Sequence, residues 1–139
     1  MSDGKKYLTK EQILAAPDLP IKEVCIPEWG NLWVCVQGLT GSERDSLEAS
    51  IVVQKGKNVT ANLQNLRAKM VQRCVVDPST RKLLFSPGDI AALGNKSATA
   101  LQRVFDVARE LSGMGDADVQ ELTGNSESGL NGGSGSGSL

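Results

Sequence analysis

The chain has 139 residues, 40% of them hydrophobic, with fifteen Lys and Arg against sixteen Asp and Glu and no histidine. That length fits one domain able to bury a core without metal or disulfide staples. The near-balanced charge gives no electrostatic reason to expect nucleic acid or an anionic membrane as partner, and no stretch approaches the roughly 18 apolar residues of a membrane span.

Residues 1–20 form a leader with one short helical signal. Thr9 and Gln12 fit a capping box, in which the hydroxyl caps a backbone N–H and the amide returns the contact. Ile13 to Ala16 follow, and Pro17 with Pro20 ends the helix quickly. The start is basic but runs into polar residues rather than an apolar stretch, so no secretory signal is expected.

The folded domain is expected over 21–122. Residues 21–28 and 31–37 are apolar-rich with Gly30-Asn31 between them, which predicts a β-hairpin. A two-residue turn there would set Trp33 across from Glu28 and Cys25 across from Val36. Pro27 cannot donate to a ladder, so its strand should keep a free edge. Thr40 and Glu43 make a second capping box, opening a helix to about Gln54 with Leu47, Ile51 and Val52 facing inward. Lys55-Gly56-Lys57-Asn58 breaks it. A longer helix is predicted from Ala61 to Cys74, its apolar residues Leu63, Leu66, Met70, Val71 and Cys74 spaced by three and four or one.

A turn at Asp77-Pro78-Ser79-Thr80 leads to a short extended piece, Leu83-Leu84-Phe85. Ser86 then reads as an N-cap with Pro87 at the first helical position, and that short helix ends at Gly94. Ser97 caps the strongest helix, whose stripe is Leu101, Val104, Phe105, Ala108 and Leu111, with Gly113 as its stop. Asp116 to Leu122 could add a final helical turn. Residues 123–139 are almost all Gly, Ser and Asn, the composition of a flexible coil or an engineered linker. The fold class is α+β: an N-terminal hairpin packed on a small bundle of three to four helices, with flexible termini.

The chemistry-bearing residues point away from catalysis. Without histidine there is no Ser-His or Cys-His nucleophile, and the commonest metal ligand is missing. Cys25, Cys35 and Cys74 lack C-x-x-C spacing and read as small buried hydrophobes in a reducing compartment. Asp45 and Glu48 beside Arg44 read as a solvated helix face. The tail glycines have no helix after them, so they make no phosphate cradle. Trp29 and Trp33 flank the hairpin turn, where packing is the expected role before ligand stacking. No catalytic, cofactor-binding or metal-binding residue is expected.

Three runs, LTKEQILAAPDLPIKEVCIPEWG, VQGLTGSERDSLEAS and LFSPGDIAALGNKSATALQRVFDVARELSGM, resemble in order and spacing the short tail assembly chaperones of long-tailed, siphovirus-type bacteriophages and prophages. The resemblance spans residues 8–122. It implies a non-catalytic factor in the host bacterial cytoplasm that binds the tape-measure protein, recruits tail-tube protein and leaves before the virion matures. It also implies a longer form made by ribosomal frameshifting near the end of the frame, and it is compatible with a homo-oligomer; no nucleic acid, membrane or cofactor is implied. Trp33, Leu101, Val104, Phe105 and Leu111 are expected to contribute to the core and to border the partner surface. A second reading is a virion structural protein, such as a tail tube or tail completion subunit. A third, a nucleic-acid-binding regulator, would need Arg67, Lys69 and Arg73 to form one basic patch.

Overall fold

The computed structural model of the protein describes residues 4–115. The expected final turn at 116–122 and the Gly/Ser-rich segment 123–139 lie outside those residues.

Helix α1, Lys10–Ala15, forms as expected: Thr9 Oγ1 accepts from the Gln12 N–H at 3.2 Å, and Gln12 Oε1 accepts from the Thr9 N–H at 2.9 Å. The hairpin is also present, with different details. Strand β1, Ile21–Ile26, pairs antiparallel with β2, Leu32–Gln37, so that Cys25 lies opposite Trp33 and Lys22 opposite Val36. The two-residue turn and its register, Trp33 against Glu28 and Cys25 against Val36, are therefore corrected. Pro27 fixes its own φ and opens a 3-10 turn, Pro27–Trp29, after which Gly30 and Asn31 both take positive φ, 81° and 59°. The connection thus takes five residues. β1 does keep a free edge, because it is an outer strand of a three-stranded sheet centred on β2.

The second capping box opens helix α2, Gly41–Ile51, where the Glu43 N–H donates to Thr40 Oγ1 at 3.0 Å and the Thr40 N–H to Glu43 Oε1 at 2.9 Å. Leu47 and Ile51 are buried as expected, but the helix stops three residues early. Val52 is exposed and starts a second hairpin, β3 (Val52–Lys55) with β4 (Asn58–Ala61), turning at Gly56 with φ 60°. β-Branched Val52, Val53, Val59 and Thr60 favour strand over a helix continuation. Helix α3 consequently begins at Leu66 rather than Ala61, and runs to Cys74. Leu63 still packs on the core, from the preceding turn.

From Cys74 the chain passes directly into β5, Val75–Val76, which pairs with β2 through Cys35↔Val76 and Val36↔Val75. The expected turn follows: Asp77 Oδ1 accepts from the backbone N–H of Ser79 at 2.8 Å and of Thr80 at 3.0 Å. Those contacts hold the Asp77 carboxyl below its ordinary pKa. The extended piece is a single bridge, Val76↔Leu83. A 3-10 turn, Pro87–Asp89, leads into α4, Ile90–Leu93, and Asp89 Oδ2 accepts from the Ser86 N–H at 2.9 Å. Ser97 caps α5, Ala98–Leu111, accepting from the Ala100 N–H at 3.2 Å, and Gly113 ends that segment at φ 72°.

The α+β architecture is therefore as expected: the hairpin sheet packs on helices through one face. Residues directly opposite in an antiparallel pair share a face, so Val24, Ile26, Val34 and Val36 stand together. They belong to one apolar cluster with Leu47 and Ile51 of α2, Met70 and Val71 of α3, and Val104 and Ala108 of α5. The buried Gln72 amide is satisfied, donating to the Phe85 carbonyl at 3.1 Å.

One close approach fixes how α5 meets the hairpin. The Gly38 N–H donates to the Pro20 carbonyl at 3.0 Å, and a Cβ on Gly38 would lie 2.6 Å from the Leu111 carbonyl oxygen. Gly38→Ala must push two backbones apart, and we expect it to lower stability by about 1–3 kcal/mol, the usual range for overpacking. Chemical denaturation with an unchanged m-value checks this.

Candidate docking surface

The residues expected to serve a partner fall into two groups. Leu101, Val104 and Phe105 are 5%, 0% and 5% exposed, and Leu111 is half-buried against the same cluster. Leu101, Val104 and Phe105 are thus part of the core of the folded domain, as expected, and Leu111 packs at its edge. Trp33 is different: it is 65% exposed, so the packing role expected for it is corrected, whereas Trp29 does pack on the core from the 3-10 turn.

Trp33 stands on the sheet face opposite the helices. Its cross-strand neighbour is Cys25, and the next row on that face runs Glu23, Cys35, Val76 and Leu83 by direct pairing. Cys35 and Val76 are buried outside the main cluster, while Leu83 is 42% exposed and the adjoining Leu84 is also exposed. The exposed apolar groups of this face are therefore Trp33 at one end and Leu83 with Leu84 at the other, separated by the buried Cys35 and Val76. Such groups suit reversible contact with an apolar partner segment, since an indole offers large area at low entropic cost. The sequence signal for it was alternation in Asn31 to Gln37, but which face the helices cover is decided by tertiary packing.

Charged groups near this face are engaged. Arg103 of α5 reaches Glu28 in the hairpin loop with two hydrogen bonds, Nε to Oε1 at 2.9 Å and Nη2 to Oε2 at 3.1 Å. This contact holds the Glu28 carboxyl below its ordinary pKa and fixes the loop that precedes Trp33 on α5. Arg67, Lys69 and Arg73 do not form a free basic patch. Arg67 hydrogen-bonds Gln102 and lies 5.7 Å from the Phe105 ring centroid, Lys69 reaches the Ser50 carbonyl at 3.2 Å, and Arg73 reaches the Lys69 carbonyl at 3.1 Å. Arg44 and Glu48 make the expected surface pair, 3.4 Å apart.

The three cysteines are free thiols. Cys35 and Cys74 are buried as expected, but Cys25 is only half-buried, its thiol donating to the Asn31 carbonyl at 3.4 Å. Burial pushes the Cys74 thiol up to about 12, reinforced by Glu43 and opposed by Arg73. Because the folded value is raised, Cys74 contributes stability that is complete below the ordinary thiol range. That contribution is lost as pH rises from about 9 towards 12. Brief alkylation of the native protein at pH 8 should therefore label Cys25 first and leave Cys74 unmodified, which peptide mass mapping reads directly.

Among the described residues, no group of three or more Cys, Asp or Glu side chains is placed to hold a metal ion. No helix of those residues is long and apolar enough to cross a membrane.

Among solved structures, the chain is similar to the tail assembly chaperone of bacteriophage HK97. The match has a TM-score of 0.52 and 15% identity, and covers 73% of this chain and 94% of that one. No family model and no curated protein sequence matches the chain. At that identity the likeness establishes a shared fold.

Proposed function

We propose that this protein is a tail assembly chaperone of a long-tailed bacteriophage, which binds the tape-measure protein and promotes assembly of tail-tube subunits around it without catalysis. The observation that carries this reading is the shared fold, which extends over 94% of the HK97 chaperone chain. Function resides in sites more than in folds, and the surface supports the same reading. A factor that holds a long apolar partner and later lets it go needs moderate apolar contacts rather than a deep pocket or reactive groups. The exposed Trp33, Leu83 and Leu84 supply contacts of that kind.

The reading assigns Trp33 to the partner and leaves Leu101, Val104, Phe105 and Leu111 as the framework that holds the sheet. It places the protein in the host cytoplasm during assembly and outside the finished virion. Titration with peptides covering the apolar helical segments of a tape-measure protein from the same genome tests it. Capture should blue-shift Trp33 emission, and the shift should be absent from Trp33→Phe, in which only Trp29 reports. If no segment moves the emission of the wild-type protein, the Trp33 face is not the capture surface.

A further inference from the structure

The β3–β4 hairpin is set apart from the rest of the fold. It forms a two-stranded sheet of its own, and Val52 and every residue from Gln54 to Thr60 are exposed. Its root is tied where it leaves α2, the Asn62 N–H donating to the Ile51 carbonyl at 2.6 Å. Beyond that root, each strand keeps one edge with no partner strand among the described residues. A two-stranded ribbon is marginal in water by itself, and a free edge is a template for a further strand.

The ribbon presents apolar groups as well as open edges. Residues directly opposite share a face, so Val52 and Ala61 stand with Gln54 and Val59, and Val53 and Thr60 stand with Lys55 and Asn58. Val52 and Val59 are both more than half exposed on the first of these faces.

The charge of this region is one-sided. From Ala49 to Val76 the chain carries Lys55, Lys57, Arg67, Lys69 and Arg73 and no Asp or Glu, although the whole chain is net −1. Lys55 and Lys57, at the tip of the ribbon, make no ion pair among the described residues. Lys69 lies beside the root, donating to the Ser50 carbonyl at 3.2 Å, a neutral partner that does not offset its charge. A protein strand fits this surface better than nucleic acid does. Residues 49–76 include no Phe, Tyr or Trp on which a base would stack, whereas open edges and exposed valines suit a pleated backbone.

We propose that the β3–β4 ribbon receives an extended acidic segment of a partner protein, which pairs as a third strand along a free edge and sets its carboxylates against Lys55, Lys57 and Lys69. Main-chain hydrogen bonds hold such a strand, and the lysines select its charge. The ribbon is a different element from the Trp33 face, so this inference stands or falls separately from the chaperone reading.

Amide NMR of the full-length protein, titrated at low salt with a short capped peptide of alternating Glu and Val, tests it. Amide signals of residues 52–61 should shift and those of Trp33 and Leu83 should not. Lys55→Glu with Lys57→Glu should weaken binding about tenfold, since two exposed attractions become repulsions, and should favour a peptide of alternating Lys and Val instead. An unchanged far-UV circular dichroism spectrum keeps that comparison on the ribbon. Two further acidic peptides carry methylated backbone nitrogens, one at its valines and one at its glutamates. At least one of them should fail to bind, because a methylated amide cannot donate to the edge. The proposal is overturned if the acidic peptide leaves residues 52–61 unmoved, if both methylated peptides bind as well as the parent, or if charge reversal changes nothing. It is equally overturned if oligothymidylate moves the same signals at lower concentration and with steep salt dependence, which would assign the ribbon to nucleic acid.

Discussion

Val104→Asp should unfold the domain. Val104 is 0% exposed and sits in the apolar cluster between α5, the inner face of the hairpin and α3. A carboxylate there has no partner, since Leu101, Phe105 and Ala108 surround the position along the helix and the facing strand contributes Val34 and Val36. Burying it unpaired costs several kcal/mol, of the order of the about 5–15 kcal/mol by which a small domain is stable. Far-UV circular dichroism should fall and the cooperative thermal transition should disappear. Leu101→Asp and Phe105→Asp belong with it, each side chain being 5% exposed. A native-like melt for Val104→Asp would mean that α5 does not form the core contact described.

Trp33→Asp should behave in the opposite way. The side chain is 65% exposed, so folding loses about 1 kcal/mol at most, the span of strand propensities. Under the proposed function, binding loses far more. A Trp that anchors an interface acts as a hot spot, and its loss typically costs about 2 kcal/mol or more, roughly a thirtyfold weakening. Trp33→Asp combined with Leu83→Asp removes an exposed apolar group at both ends of the face and should abolish detectable capture while the circular dichroism spectrum stays native. Unfolding of the single Trp33→Asp variant would instead assign the indole to packing.

These two outcomes separate what the sequence makes legible from what it hides. The helix starts are local events: Thr9 with Gln12, Thr40 with Glu43, and Ser97 each signal a helix within four residues, and each caps one in the structure. The stripe of α5 is equally legible, because its period of three and four needs no knowledge of neighbours. The register of the first hairpin is not. Pro27 can continue an edge strand or start a tight turn, and the choice rests on Gly30 and Asn31 both accepting positive φ, which shifts the pairing by three residues. The second hairpin is hidden for a related reason: Val52 and Val53 extend the apolar spacing of α2, and only the return strand Asn58–Ala61 reveals them as strand.

The candidate surface shows the same limit more sharply. Trp33, Leu101, Val104, Phe105 and Leu111 are all apolar, and apolarity alone marks a core or an interface without distinguishing them. The distinction comes from which sheet face α5 and α3 cover. That depends on contacts as distant as Arg103 with Glu28 and Leu39 with Ser112, which no local pattern encodes.

Capture of a tape-measure partner is tested by co-expression of this protein with the tape-measure protein of the same genome, followed by affinity capture and sizing. The tape-measure protein, insoluble when expressed alone, should become soluble and elute in complex with the wild-type chain but not with Trp33→Asp/Leu83→Asp. A tape-measure protein that stays insoluble and unbound in the presence of folded wild-type protein would contradict the proposed function.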